Sequence, residues 1–363
     1  MAATRPWAIT VLREGVPPAT WPARGDHVLQ VSPAAPMASA DVEPVPTEAF
    51  LAEYDRSGTD AILVIDDGRV VYSRFTDGHG PDTAFNSFSM VKSLVGVLVL
   101  QALSDGRIAG LDATVGEVWT DVADTELAEA SIGELLDMRS GLAFERPPGA
   151  ADEDITKAGQ IRDFSPWGPL ARLHVQGPDA VAAEVRLIEA DRGTFAYQQL
   201  NTAVLSRVLE EVHGRPLDEI LRRELVEPAG AGEFRWRRHP DDGRITAYCC
   251  LYATAEWWGA VLAYLAANGG DDPLLSPEWF DYFLGRDHTD DERHVGQYRS
   301  QIRYDILDRE GEELQGPFLY FSGLDGQLAY LMPDENLIVI RFGDGNQLLH
   351  SGLYLVSDVV GTG

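Results

Sequence analysis

The chain is predicted to adopt an α+β fold: an antiparallel sheet built from both chain ends, flanked by helices, with a mainly helical subdomain inserted between them. Three observations predict it. Runs rich in β-branched and aromatic residues fall near 61–75 and again near 318–342. The long stretch between them carries apolar residues at helical spacing. Turn residues separate successive strand runs, so neighbouring runs pair antiparallel.

Residues 1 to 45, rich in Pro and Ala, read as an irregular leader, and 46 to 363 as a single domain. Ala61 to Ile65 and Arg69 to Phe75 flank Asp66-Asp67-Gly68, a strong hairpin signal. Next comes FNSFSMVKSLVGVLVLQAL, an apolar run from 85 to 103 that contains one lysine, Lys92. The segments SIGELLDMRSGL, NTAVLSRVLEEVHGRPLDEILRREL and AEWWGAVLAYLAANGG have helical periodicity and stop at Gly or Ser-Gly. They place the helical subdomain at about 115 to 250. Phe318 to Phe321, Gln327 to Met332 and Leu337 to Phe342 return to strand character, the last two joined by Pro333-Asp334-Glu335-Asn336.

At 363 residues and 45% hydrophobic the chain can bury a large core. Its 29 Lys+Arg stand against 58 Asp+Glu, a net charge of −29. Phosphate backbones and anionic membrane surfaces are therefore disfavoured as partners. No apolar run reaches the roughly 20 residues of a membrane span, and the N-terminus lacks an export signal, which predicts a cytoplasmic protein. Oligomeric state is not legible. Cys249 and Cys250 are adjacent, an awkward geometry for a mutual bridge, and are expected to be reduced, packed thiols. His288 and His294, among Asp287, Asp290, Asp291 and Glu292, lack a helical metal spacing and read as a solvated acidic loop. No metal and no cofactor are expected.

Ser89 and Lys92 are three apart, so on a helix they share a face. Ser89 in the first turn would lie where free amides and the helix dipole favour negative charge, which suits a nucleophile and its oxyanion. Lys92, drawn into the interior, would lose stability as an ammonium, and its neutral amine could take the serine proton. The alternative is a capping serine beside a lysine that snorkels to water.

FSMVKSLVGVLVLQALSDGRIAGLDATVGEVW followed by SIGELLDMRSGL resembles the penicillin-recognising serine hydrolases, especially the esterases, amidases and nylon-oligomer hydrolases related to class C β-lactamases. The likeness runs from about residue 50 to the C-terminus and implies a β-lactamase/transpeptidase-like fold. It implies Ser89 as nucleophile and Lys92 as base. FAYQQLNTAVLSRVLEEVHGRPL is similar to the second motif and puts Tyr197 in the place of its tyrosine, which shuttles the proton. A core tyrosine opening a helix is the other reading of Tyr197. FLYFSGLDGQ is similar to the third motif, with Phe321, Ser322 and Gly323 at its three places. The oxyanion hole then consists of the backbone amides of Ser89 and Leu324.

Two departures bear on substrate. Gln199 stands where the second motif has Asn or Ser, with Asn201 as a further polar candidate or a helix cap. Phe321 stands where the third has Lys or His, so penicillins become poor candidates. Asp325 would favour a neutral or cationic substrate, or simply form a turn. Trp167, Trp236, Trp257 and Trp258 are packing residues by default, one or two of which could line a pocket. These readings converge on a serine hydrolase that cleaves an ester or amide of a small molecule through an acyl-enzyme. The alternatives are a transacylase that hands the acyl group to an amine, or a silent binding protein on the same fold.

Overall fold

The structure is a computed structural model that describes residues 28–30, 37–39, 45–144, 169–345 and 352–360. Most of the expected leader lies outside the described residues, as does Trp167. Thirteen strands are present among them: β1 (Val28–Gln30), β2 (Thr59–Asp66), β3 (Arg69–Phe75), β4 (Thr83–Asn86), β5 (Leu142–Ala143), β6 (Arg186–Leu187), β7 (Arg235–Trp236), β8 (Leu251–Ala253), β9 (Gln297–Arg299), β10 (Ile302–Leu307), β11 (Gly316–Gly323), β12 (Gln327–Met332) and β13 (Leu337–Gly343).

Seven form the main antiparallel sheet in the order β3-β2-β13-β12-β11-β10-β9. The pairing of β13 with β2 joins the two chain ends, as the sequence predicts. At the β2–β3 hairpin Asp66 pairs with Arg69, and Asp67 and Gly68 both take positive φ (44° and 74°). That left-handed pair matches the right-handed twist of the strands. β1, β4, β8 and β7 form a second sheet, and β5 and β6 a two-stranded one.

The main sheet is covered on both faces. One face carries helices Val91–Ser104 and Ala255–Ala266, the other Glu48–Arg56 and the 3-10 segment Leu353–Val359. Helix Val91–Ser104 is the central element: Leu94, Val95, Val97, Leu98, Val99 and Leu100 are all 0% exposed. Each such side chain contributes about 1.5–3 kcal/mol of burial, which explains a helix apolar all round.

Two features escaped the sequence. The turn between β9 and β10 is made of Ser300 and Gln301, both at positive φ and both buried. Gln301 amide and carbonyl groups bond Leu135, Leu136, Ser93 and Thr202, so this hairpin tip joins the sheet to the helical region. Gly96 lets the helix touch it, since a Cβ there would lie 1.9 Å from the Ser300 carbonyl oxygen. Arg341 on β13 is also fully buried, its charge satisfied by Thr59 Oγ1 and the carbonyls of Ser57, Asp325, Gly326 and Gly345. It thereby holds the 3-10 turn Leu324–Gly326 that follows β11.

Candidate active site

Strand β4 delivers the chain to Ser89 through a tight turn. Ser87 N–H donates to Leu251 O (2.8 Å), Phe88 N–H to Asn86 Oδ1 (3.0 Å) and Met90 N–H to Ser87 O (3.1 Å). Phe88 is held at φ 45°. A left-handed phenylalanine costs roughly 1–3 kcal/mol and persists only where the surroundings over-determine it. Ser89 thus sits in the 3-10 turn Phe88–Met90 that leads directly into helix Val91–Ser104, rather than in the first turn of that helix as expected. From Thr83 to Leu103 it alone escapes full burial.

Lys92 is 1% exposed, so it does not snorkel. Its Nζ donates to Ser89 Oγ (2.8 Å) and to Tyr248 O (2.8 Å), and lies 5.0 Å from the centre of the Tyr197 ring. The Tyr197 hydroxyl hydrogen-bonds with both Ser89 and Lys92. Burial opposes ionisation of this phenol, but the Lys92 charge, the two hydrogen bonds and the more distant Arg303 outweigh it and set its pKa below the ordinary tyrosine value.

Tyr197 reaches this place because its segment docks on the loop after helix Ile132–Leu136. Ala196 N–H donates to Met138 O (2.8 Å), Gln198 Nε2 to Leu142 O (2.9 Å), and Gly193 N–H to Arg139 O (2.9 Å). Helix Gln199–His213 then begins, and Gln199 is half-buried. The edge of the Tyr197 ring meets Tyr298 on β9, ring centres 6.0 Å apart.

β11 closes the other side. Gly323 is required there: a Cβ would fall 2.3 Å from Ser87 O. Ser322, Gly323, Leu324 and Asp325 are half-buried beside the nucleophile turn. Asp325 occupies a left-handed position (φ 59°) and its carbonyl accepts from Arg341, the environment of a turn former.

Several expectations are corrected. Phe321 is 0% exposed and belongs to the core beneath the sheet, because strand alternation turns it toward helix Val91–Ser104; it does not face the cleft. Asn201 is likewise 0% exposed, its Oδ1 accepting from Ser140 Oγ (2.8 Å) and its Nδ2 directed at Met138 Sδ, so it braces the Met138–Ser140 loop instead of meeting substrate. Trp257 and Trp258 are 0% exposed and packed on each other, and Trp236 donates to the carbonyls of Thr246 and Cys249, so all three have the packing role expected of them by default.

Cys249 and Cys250 are joined in a disulfide, not reduced. Cys250 at φ 67° gives the backbone the bend that adjacent cysteines otherwise resist. The pair directly follows Tyr248, whose carbonyl anchors Lys92 and whose hydroxyl lies 3.1 Å from His174 Nδ1. Burial, reinforced by Arg237 and His239, keeps that imidazole neutral. Tyr248 was not singled out from the sequence, since a backbone carbonyl leaves no signal there.

Among the described residues, His174, Cys249 and Cys250 are the metal-type ligands that come closest together, and both sulfurs are bonded to each other. His294 is engaged by Asp308 and the Asp290 carbonyl, and His288 by the Tyr304 ring. No helix among the described residues is long and apolar enough to cross a membrane.

A family model described as Beta-lactamase matches residues 47–348. Among solved structures, a putative 6-aminohexanoate-dimer hydrolase from Bacillus anthracis superposes with TM-score 0.68 at 15% identity, covering 93% of this chain and 90% of that one. A D-stereospecific amidohydrolase from Streptomyces sp. gives 0.63 at 16%, covering 88% and 100%. EstCE1, described as a hydrolase with promiscuous acyltransferase activity, gives 0.55 at 14%, covering 86% and 97%. At such identities the likeness concerns the fold. No curated protein matches the sequence.

Proposed function

This chain belongs to the beta-lactamase family, and from that premise we propose that it is a serine hydrolase cleaving an ester or amide of a small molecule through an acyl-enzyme on Ser89. The observation that carries the reading is the contact of Ser89 Oγ with Lys92 Nζ at 2.8 Å, completed by the Tyr197 hydroxyl, at the one solvent-reaching residue of an otherwise buried segment.

Lys92 and Tyr197 act as one base, because a hydrogen bond joins them and the Lys92 charge favours the ionised phenol. With one proton removed from the pair, Ser89 Oγ attacks the carbonyl carbon as its own proton passes to the pair. The carbonyl π electrons move onto oxygen, and that oxyanion meets the amides of Ser89 and Leu324. Collapse breaks the bond to the leaving alkoxide or amine, which takes the proton back from the pair. Water then repeats the sequence in reverse and frees Ser89. An amine in the place of water would yield transacylation, a second outcome supported by the acyltransferase activity in the description of EstCE1.

The test is labelling by a fluorophosphonate, read by intact mass, on wild type and Ser89→Ala, followed by a panel of esters and amides with and without an added amine. A single adduct on wild type and none on the variant is expected. Equal labelling of both would refute Ser89 as nucleophile, and no adduct on either would favour a silent binding protein.

A further inference from the structure

Behind the base, consecutive residues direct their carbonyls at different elements. Tyr248 O accepts from Lys92 Nζ (2.8 Å), Cys249 O from Trp236 Nε1 (3.0 Å), Cys250 O from Arg237 N–H (3.1 Å) and Leu251 O from Ser87 N–H (2.8 Å). One short segment thus holds the lysine at one end and the nucleophile turn at the other. In its middle the disulfide joins Cys249 to Cys250, and Cys250 stands at φ 67°.

A bond between the side chains of neighbouring residues closes a small ring through the peptide that joins them, so it restricts ψ of Cys249 and φ of Cys250 directly. A left-handed conformation is disfavoured for any residue with a Cβ. Opening the ring leaves that bend to packing and hydrogen bonds alone, and the torsions set free adjoin the Tyr248 carbonyl on one side and Leu251 on the other. The surroundings of the pair also favour its chemistry. Cys249 is 7% exposed and Cys250 4%, so a small reagent meets Cys249 first. A ring nitrogen of His174 lies within 4.8 Å of both sulfurs, and Arg237, which donates to the His174 carbonyl (3.1 Å), places its positive charge beside that imidazole. A neighbouring cation eases the departure of a thiolate.

We infer that Cys249 and Cys250 form a redox modification site that controls Lys92: the disulfide holds the base in position, and reduction by a small dithiol releases the Tyr248 carbonyl from Lys92 and slows acylation. One thiolate of the reductant attacks Cys249 Sγ, the S–S bond breaks, and Cys250 Sγ leaves as a thiolate that takes up a proton. The second thiolate of the reductant then attacks its own sulfur in the mixed disulfide. Cys249 Sγ departs and is protonated in turn, and the reductant, having given two electrons, leaves as a cyclic disulfide. The reduced, packed thiols expected from the sequence are then the second state of the same site. The effect on acylation rests on the hydrolase reading above; the exchange at sulfur and the displacement of Lys92 do not.

The experiment reduces the whole protein with dithiothreitol, removes the reductant anaerobically, counts alkylated cysteines by intact mass after denaturation, and follows pre-steady-state release of 4-nitrophenol from 4-nitrophenyl acetate. Alkylation of both cysteines and acylation slowed about 10- to 100-fold are expected, the loss that follows when a catalytic group moves by about an ångström, with recovery on oxidation by diamide. Native protein that resists reduction, or reduced protein that acylates at the original rate, overturns the switch. Glycine takes a left-handed bend without steric cost, so Cys249→Ala/Cys250→Gly should acylate faster than Cys249→Ala/Cys250→Ala, and neither should respond to dithiothreitol. An unreduced rate in Cys249→Ala/Cys250→Ala would also sink the proposal. If neither redox state releases 4-nitrophenol, the hydrolase reading has failed and the site is read from Tyr197 instead. Its phenol ionisation, taken as the ultraviolet absorbance change lost in Tyr197→Phe, should move to higher pH on reduction as the Lys92 charge is displaced from it; a titration that stays in place overturns the redox site as well.

Discussion

Replacing Lys92 by Met should separate catalysis from stability. Lys92 is 1% exposed and its Nζ makes 2.8 Å contacts to Ser89 Oγ and Tyr248 O. A general base contributes roughly 10²- to 10⁴-fold, which at about 1.4 kcal/mol per factor of ten is about 3–5.5 kcal/mol of barrier. Here the same change also removes the charge that lowers the Tyr197 pKa, so the loss should reach the top of that range. Stability responds differently. Methionine has a similar volume and no charge to desolvate, and replacing a buried ion by a packed apolar group is often neutral or stabilising. The cost is one carbonyl, Tyr248 O, left without this donor, about 1–3 kcal/mol. The expected result is an acylation rate reduced about 10⁴-fold with a melting temperature near that of wild type. Pre-steady-state release of 4-nitrophenol measures the first and calorimetry the second. Acylation at a tenth of the wild-type rate or more would refute the role of Lys92, and a fall in activity that merely tracked unfolding would refute its separation from the fold.

Tyr197 should ionise below the usual phenol range when followed by absorbance at 295 nm, and in Lys92→Met it should ionise above it, because burial then acts with its main opponent removed; no difference between the two proteins would contradict the pairing. Acylation should decline as acid returns the second proton to the pair, and a flat acid limb would count against it. Gly323→Ala places a methyl 2.3 Å from Ser87 O, a backbone atom on the nucleophile turn, and should cost about 1–3 kcal/mol of stability and at least 100-fold in acylation; a fully active variant would show that β11 does not need this approach. Asp137 is pushed up from 3.8 to about 6, by burial first, against the Ser300 amide bond and the charges of Arg299 and Arg139. With the folded value raised, its stabilising share is complete below the unfolded pKa and lost as pH rises through about 6. Asp137→Asn should therefore be about 2–3 kcal/mol more stable than wild type at pH 8 and no more stable at pH 3.5, as denaturant unfolding at the two pH values would show.

The strands were legible in sequence because runs of β-branched and aromatic residues and the Asp67-Gly68 turn are local properties, and the joining of the chain ends followed from the order of those runs along the chain. Lys92 beside Ser89 was legible for the same reason: residues three apart on a helical backbone meet whatever surrounds them. Tyr197 was placed by resemblance, and its position depends on hydrogen bonds to Met138, Arg139 and Leu142, residues far from it in the chain. Tertiary packing alone decided which face each side chain presents. It turned Phe321 and Asn201 inward, made a backbone carbonyl of Tyr248 the anchor of the lysine, and joined Cys249 to Cys250 across a left-handed bend. It also brought Arg303 to the Tyr197 ring across more than 100 residues of chain. A period of two or 3.6 says that one face is buried; which face borders the cleft depends on the elements packed against it, and those lie elsewhere in the sequence.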